Sequence, residues 1–223
     1  MAELLTLRLT QLLLTDEAEA WQGLGFEFVG STVAVGELEI HLDPNARNPA
    51  WAFFDPDTVD VGAEFGESLV DGIPTRRGPR CETHRVGHAN GIVGVDHVVV
   101  TTPDGPRTAD ALAHLGLELR RRRPTTMAGV EMEQWFYRPG TIIEVVAPRE
   151  AVGEGSSAIW GITFVTADLD VTARRLGSLL STPRPAVQRG RHIASVRREA
   201  GLRTRVAIMD AHRRVDPPGH VEA

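Results

Sequence analysis

The chain has one cysteine, Cys81, in 223 residues, so no disulfide can form within it and a reducing compartment is expected. It has no run of 18 or more apolar residues. Its leucine-rich start is broken by Glu3, Arg8 and Gln11 and has no basic stretch before it. The expectation is therefore neither a membrane span nor a secretory signal, with a cytoplasmic location by default. Basic residues are not in excess: 24 stand against 30 acidic ones, a net charge of −6, which offers no footprint for nucleic acid or an anionic membrane. A small-molecule ligand or substrate is the expected partner. There is no Walker A lysine motif, no G-x-S-x-G elbow and no H-E-x-x-H. Gly23, Gly25 and Gly30 follow a helix-like stretch, where a dinucleotide-binding loop must follow a strand. Nucleotide hydrolysis, serine hydrolysis and zincin proteolysis are unsupported.

With 42% hydrophobic residues the chain reads as globular, long enough for one large domain or two small ones. Its centre is the most informative part. Gly94-Val-Asp-His97-Val-Val-Val100 and Thr141-Ile-Ile-Glu144-Val-Val146 are apolar strands, each interrupted by an ionisable side chain. A β-branched run excludes such a residue unless it faces something polar or a cavity. Between them, Asp104 to Gly116 reads as an N-cap, a first-turn proline, a short amphipathic helix and a terminating glycine. Two more strand-like runs follow, Leu117–Arg123 and Glu133–Arg138, closed by Pro139-Gly140. The unit is strand, helix, strand, strand, strand.

The segments GVDHVVVTTPD, LGLELRRR and YRPGTIIEVVAP, in that order, resemble the vicinal oxygen chelate superfamily, which includes glyoxalase, bleomycin-resistance and extradiol dioxygenase-like proteins. The resemblance implies an α+β protein of repeated βαβββ modules, with mixed curved sheets cupping a cavity and helices outside. It also implies that His97 and Glu144 are metal ligands and catalytic groups. The ion would be divalent (Zn, Ni, Mn or Fe), and the enzyme a lyase, isomerase or dioxygenase acting on a small oxygen-rich substrate. Glu144 would double as a displaceable base. The alternative within the same superfamily is a metal-free protein that sequesters a small molecule, as resistance proteins do.

Self-similarity extends the unit in both directions. Residues 158–209 repeat it, and laying Asp168 on Asp104 puts Gly161 where His97 stands, with no Glu opposite Glu144. Residues 7–42 form a compressed copy. Matching QLLLT to HVVVT places Gln11 at the His97 position, and strand parity nominates Glu39, although an ungapped count lands on Ile40. His41 shares the face of Glu39 and is a substitute ligand. The expected organisation is an N-terminal module at 1–56, a linker at 57–91, a central module at 92–150, a degenerate module at 156–212 and a tail at 213–223. If the first module pairs with the central one, the resemblance implies the metal set Gln11, Glu39, His97 and Glu144. If the central and final modules pair, only His97 and Glu144 remain. Three modules leave one without an internal partner, which points to a homodimer.

Blander readings stand beside these. His97 can simply hydrogen-bond its neighbour Asp96, with Glu144 satisfied by an arginine or water. Cys81, His84 and His88 imitate zinc spacing but lack the second cysteine a structural site needs, so they read as ordinary linker. Arg120–Arg123 either neutralises a carboxylate-bearing ligand through alternate members or is a solvated strand edge. Trp135, Phe136 and Tyr137 divide between a pocket and the helix side of their strand.

Overall fold

The computed structural model describes residues 7–55, 68–78 and 86–211. Its first half runs β1 (Arg8–Leu14), α1 (Ala18–Gly23), β2 (Thr32–Val35), β3 (Leu38–Leu42), β4 (Ala50–Phe54), β5 (Ser68–Val70) and β6 (Ile73–Gly78), with strands ordered β2-β3-β1-β4-β6-β5. Its second half runs β7 (Ile92–Thr101), α2 (Gly105–Leu115), β8 (Leu119–Met127), β9 (Val130–Tyr137), β10 (Ile142–Pro148), β11 (Ala158–Thr166), α3 (Leu169–Leu176), β12 (Arg184–Pro185), β13 (His192–Ser195) and β14 (Arg205–Asp210). These strands form one curled sheet ordered β12-β13-β14-β11-β7-β10-β9-β8.

The two sheets share a plan. In the second, β7 is parallel to β10 and antiparallel to β11, which is parallel to β14. In the first, β1 is parallel to β3 and antiparallel to β4, which is parallel to β6. The first sheet is thus the second without its outermost strands. The central module pairs with the final one, so the alternative in which it pairs with the first does not occur. The N-terminal module pairs instead with β4, β5 and β6, two of which lie in the stretch read as linker. Those two were hidden because Pro74, Arg76, Arg77 and Gly78 make a short strand look like polar loop. With that partner supplied inside the chain, the reason for expecting a dimer through an unpaired module falls away.

Local signals explain the helices unevenly. Asp104 caps α2 by accepting from the Arg107 amide at 3.0 Å, and Gly116 ends it at φ 100°. Asp168 caps α3 by accepting from the Val171 amide at 2.9 Å. Asp16, the kind of residue that caps helices and placed just ahead of α1, does not cap it: the helix begins at Ala18 behind Glu17 and has no side-chain cap. Asp16 is fully buried and reaches across the molecule, accepting from the Arg203 amide at 2.6 Å, the Thr204 amide at 3.1 Å and the Thr204 hydroxyl. Between α1 and β2, Val29 forms a single antiparallel bridge with Thr32.

The halves share one apolar core. Trp21 of α1 meets Phe164 of β11 edge-on at 5.9 Å, and Phe26 lies 5.1 Å from the same ring. Such aromatic pairs add about 0.5–1.5 kcal/mol to the area they bury. Besides Asp16, Asp71 at the β5–β6 turn joins the halves, accepting from Arg107 Nε at 2.7 Å and from the hydroxyls of Thr108 and Ser157. Burial would raise its pKa, but these donors outweigh that and lower it. Gly72 beside it is required by space as well as by its φ of +87°, because a Cβ there would lie 2.3 Å from Ser156 Cβ.

His88 is structural: its Nδ1 accepts from the Glu27 amide at 3.1 Å and its Nε2 lies 3.0 Å from the Ala34 carbonyl. Cys81 and His84, like the tail 213–223, fall outside the described residues. Burial lowers the His88 pKa from 6.5. Below pH 6.5 the unfolded chain therefore takes up a proton that the folded imidazole resists, and stability falls with pH over that window. Urea titrations at pH 7.5 and 5.5 (~1 unit either side of the ordinary imidazole pKa) should give the lower midpoint at acid pH. His88→Gln should reduce that difference, and an unchanged difference would remove His88 as its cause.

Candidate functional site

His97 and Glu144 converge. Both project from the second sheet, with His97 Nε2 3.4 Å from a Glu144 carboxylate oxygen and both side chains nearly enclosed. Glu144 stands opposite Val99 on the parallel neighbour, two residues past the partner of His97, so the two meet diagonally across β7 and β10. A bulge adjusts the imidazole: β7 pairs His97 with Thr163 but Val95 with Phe164, leaving Asp96 as the extra residue. Adjacent side chains that would otherwise face opposite ways both enter the site, and Asp96 lies 2.8 Å from His97 Nδ1. This is the neighbour contact anticipated from sequence. The Thr163 hydroxyl lies 3.0 Å from Nε2.

The network runs on in both directions. Arg191, nearly fully buried, donates to Asp96 at 2.5 Å and to the Asp210 carbonyl at 2.6 Å. Burial would raise the Asp96 pKa, but the hydrogen bonds from His97 and Arg191 prevail and hold it at about 2. Gln134 donates to Glu144, and its own carbonyl accepts from Arg123 Nε at 2.7 Å. The result is a continuous polar chain, Arg123 to Gln134 to Glu144 to His97 to Asp96 to Arg191, crossing the hollow of the sheet. Gln134, Thr163 and Arg191 were not foreseen. The first was recoverable from parity, being two residues from Phe136 on one strand. The others depend on pairings far apart in sequence.

Above this floor lies a cavity of about 610 Å³ walled by Arg120, Arg121, Arg123, Phe136, Arg138 and Gln188. Register sorts the aromatic run: Phe136 and Gln134 stand beside Arg121 and Arg123, while Trp135 stands beside Arg122 and packs against α2 at Gly105. Alternate members of the arginine run do face the cavity, on an edge strand. Arg120 is paired to Glu118 at 3.0 Å, whereas Arg121 and Arg138 have no hydrogen-bond or ion-pair partner among the described residues.

Gln11 and Glu39 form a separate pair. They stand directly opposite on β1 and β3 of the first sheet, and Gln11 donates to Glu39 at 2.9 Å while accepting from Arg76 at 2.6 Å. Glu39 faces the same side as Gln11, whereas Ile40 is buried in the core. If Gln11 takes the station of His97, however, the residue two beyond its partner is His41, whose Nε2 lies 3.7 Å from Glu39. The four residues thus form two pairs on two sheets rather than one ligand set.

The donors on the second sheet do not fit a catalytic divalent metal, which takes three protein ligands and keeps an open position. No group of three or more His, Cys, Asp or Glu side chains is placed to hold an ion among the described residues. The pseudo-equivalent stations in the final module hold Gly161 and Ala207, with Gly161 opposite Val99 and Ala207 opposite Thr163. Gly161 is more than a lost ligand: a Cβ there would lie 2.5 Å from the Arg205 carbonyl oxygen.

No helix among the described residues is long and apolar enough to cross a membrane. No protein-family model and no curated protein matches the chain. Solved structures do. A variant of 4-hydroxymandelate synthase from Streptomyces coelicolor is similar over 91% of this chain and 92% of its own, at 14% identity and a TM-score of 0.62. Methylmalonyl-CoA epimerase from Mycobacterium tuberculosis is similar over 57% of this chain and 93% of its own, at 17% identity and a TM-score of 0.45. The first of these spans both sheets, so the tandem arrangement is itself part of the likeness. The chain has a glyoxalase-like fold, with paired βαβββ modules in two successive sheets.

Proposed function

We propose that the protein binds a small organic anion, a carboxylate in the first instance, in the hollow of the second sheet and without a resident metal. The observation that carries this is Arg121 and Arg138 standing unpaired at a cavity floored by Phe136 and Glu144. Every one of the 24 basic residues is arginine, in a chain of net charge −6, so cations gathered at one hollow select for an anion. Phe136 supplies an apolar face for the body of the ligand. Each guanidinium–carboxylate contact contributes about 1.5–3 kcal/mol, or roughly tenfold or more in affinity. Titration calorimetry with 4-hydroxybenzoate should show Arg121→Gln and Arg138→Gln each weakening binding by about tenfold. Unchanged affinity in both variants would overturn the reading.

A second reading, catalysis, is favoured by one observation: Glu144 is a buried carboxylate within reach of His97. Held by Gln134 and His97, it can accept a proton from carbon beside an anchored carboxylate, while the C–H electron pair passes into the enolate that Arg121 neutralises. Proton exchange of a bound acid in D₂O, followed by NMR and lost in Glu144→Gln, would support turnover. The metal-dependent lyase or isomerase implied by the resemblance needs a third ligand, and no third His, Cys, Asp or Glu is placed with His97 and Glu144 to hold an ion among the described residues.

A further inference from the structure

A second cavity lies between the halves. It measures about 500 Å³ and is lined from the first half by Arg8, Val35, Gly36 and Glu37, and from the second by Gly94, Asp96, Thr141, Val165 and Arg191. Three residues, Arg138, Ile142 and Gln188, line both this cleft and the hollow of the second sheet. The two spaces therefore adjoin, and Arg138 stands at their junction.

Their charges differ. Apart from Arg138 at the junction, the ionic groups that line the cleft are already matched: Arg8 pairs with Glu37 at 3.5 Å and Arg191 with Asp96 at 2.5 Å. An additional charge there would displace an existing pair, so the cleft suits a neutral group. Thr141, Gln188 and the glycine backbone offer hydrogen bonds beside the apolar Val35, Val95, Ile142 and Val165. Gln188 sits in the loop before Arg191, whose amide bonds the Gln188 carbonyl at 3.2 Å. Because Arg191 is pinned to Asp96, the loop roofing the junction is tied to the partner of His97.

We propose that the hollow and the cleft form one binding site for an elongated organic acid. Its carboxylate and body lie at Arg121, Arg138 and Phe136, and a neutral, hydrogen-bonding arm extends past Gln188 into the cleft between the halves. This rests on the anion-binding reading of the hollow and adds the class of ligand: an acid conjugated to an uncharged polar group, such as a glycoside or amide. A free acid fills only the first part of the site.

The test compares 4-hydroxybenzoate with its O-glucoside by titration calorimetry. The glucoside should bind about tenfold more tightly to the intact protein. Gly94 lines the cleft, and a Cβ added there meets nothing within 4 Å, so Gly94→Leu fills the cleft without a built-in clash. It should abolish the advantage of the glucoside and leave the short acid unaffected; Thr141→Tyr should do the same from the start of the neighbouring strand β10. Arg138→Gln should weaken both ligands. Equal binding of the two acids to the intact protein, or an undiminished glucoside advantage in both cleft variants, overturns the inference and leaves the reading of the hollow standing. No binding by either acid overturns both.

Discussion

Asp16→Ala should lower the stability of the fold by about 3 kcal/mol, seen as a drop in Tm of roughly 6–12 °C. The carboxylate is fully buried and accepts from two backbone amides and a hydroxyl at Arg203 and Thr204. Its removal orphans three donors at once, and a buried unsatisfied donor costs about 1–3 kcal/mol. The neighbouring Glu17→Ala is the control: Glu17 is half-exposed and lies 3.9 Å from Arg203, a contact of little energetic weight. If thermal melts show the two variants to be alike, Asp16 does not join the halves in the way its geometry implies.

Gly161→His tests whether a three-ligand centre could be built on His97 and Glu144 by supplying an imidazole from the final module. It should fail. The parallel neighbour β14 approaches so closely that the first side-chain carbon would lie 2.5 Å from the Arg205 carbonyl oxygen and 3.0 Å from its Cβ. The backbone must move to admit any side chain, at a cost of about 1–3 kcal/mol and more for a ring. The expected result is a destabilised protein whose zinc content, measured after dialysis, does not exceed that of the parent. A stable variant binding one equivalent of zinc would show that the sheet can open to admit a third ligand.

With Gly161 and Ala207 at the two stations of the final module, His97 and Glu144 stand in a polar chain where the resemblance implies a metal site. The imidazole is held between two carboxylates, and each carboxylate is neutralised or capped from beyond, Asp96 by Arg191 and Glu144 by Gln134. Such a network is self-satisfied, so it costs little to bury and positions Glu144 firmly beneath the cavity. That suits a fixed polar floor for a ligand whose charge is met by the arginines above.

The sequence determined the local elements and the side chains that interrupt them. Period-two alternation, the caps Asp104 and Asp168, and the stop at Gly116 located the modules of the second half, because those signals act within a few residues. His97 and Glu144 stood out because a charged group in a β-branched strand must face something polar. Tertiary structure alone decided the pairing of modules, since β5 and β6 carry too few apolar residues to announce themselves and are held by β4. It also decided that Asp16 joins the halves instead of capping a helix, that a bulge turns Asp96 and His97 into the same hollow, and that Arg138 lies at the junction of two cavities. Each of these depends on strand register between distant segments, where a shift of one residue reverses which side chains meet, and no short-range pattern encodes that choice.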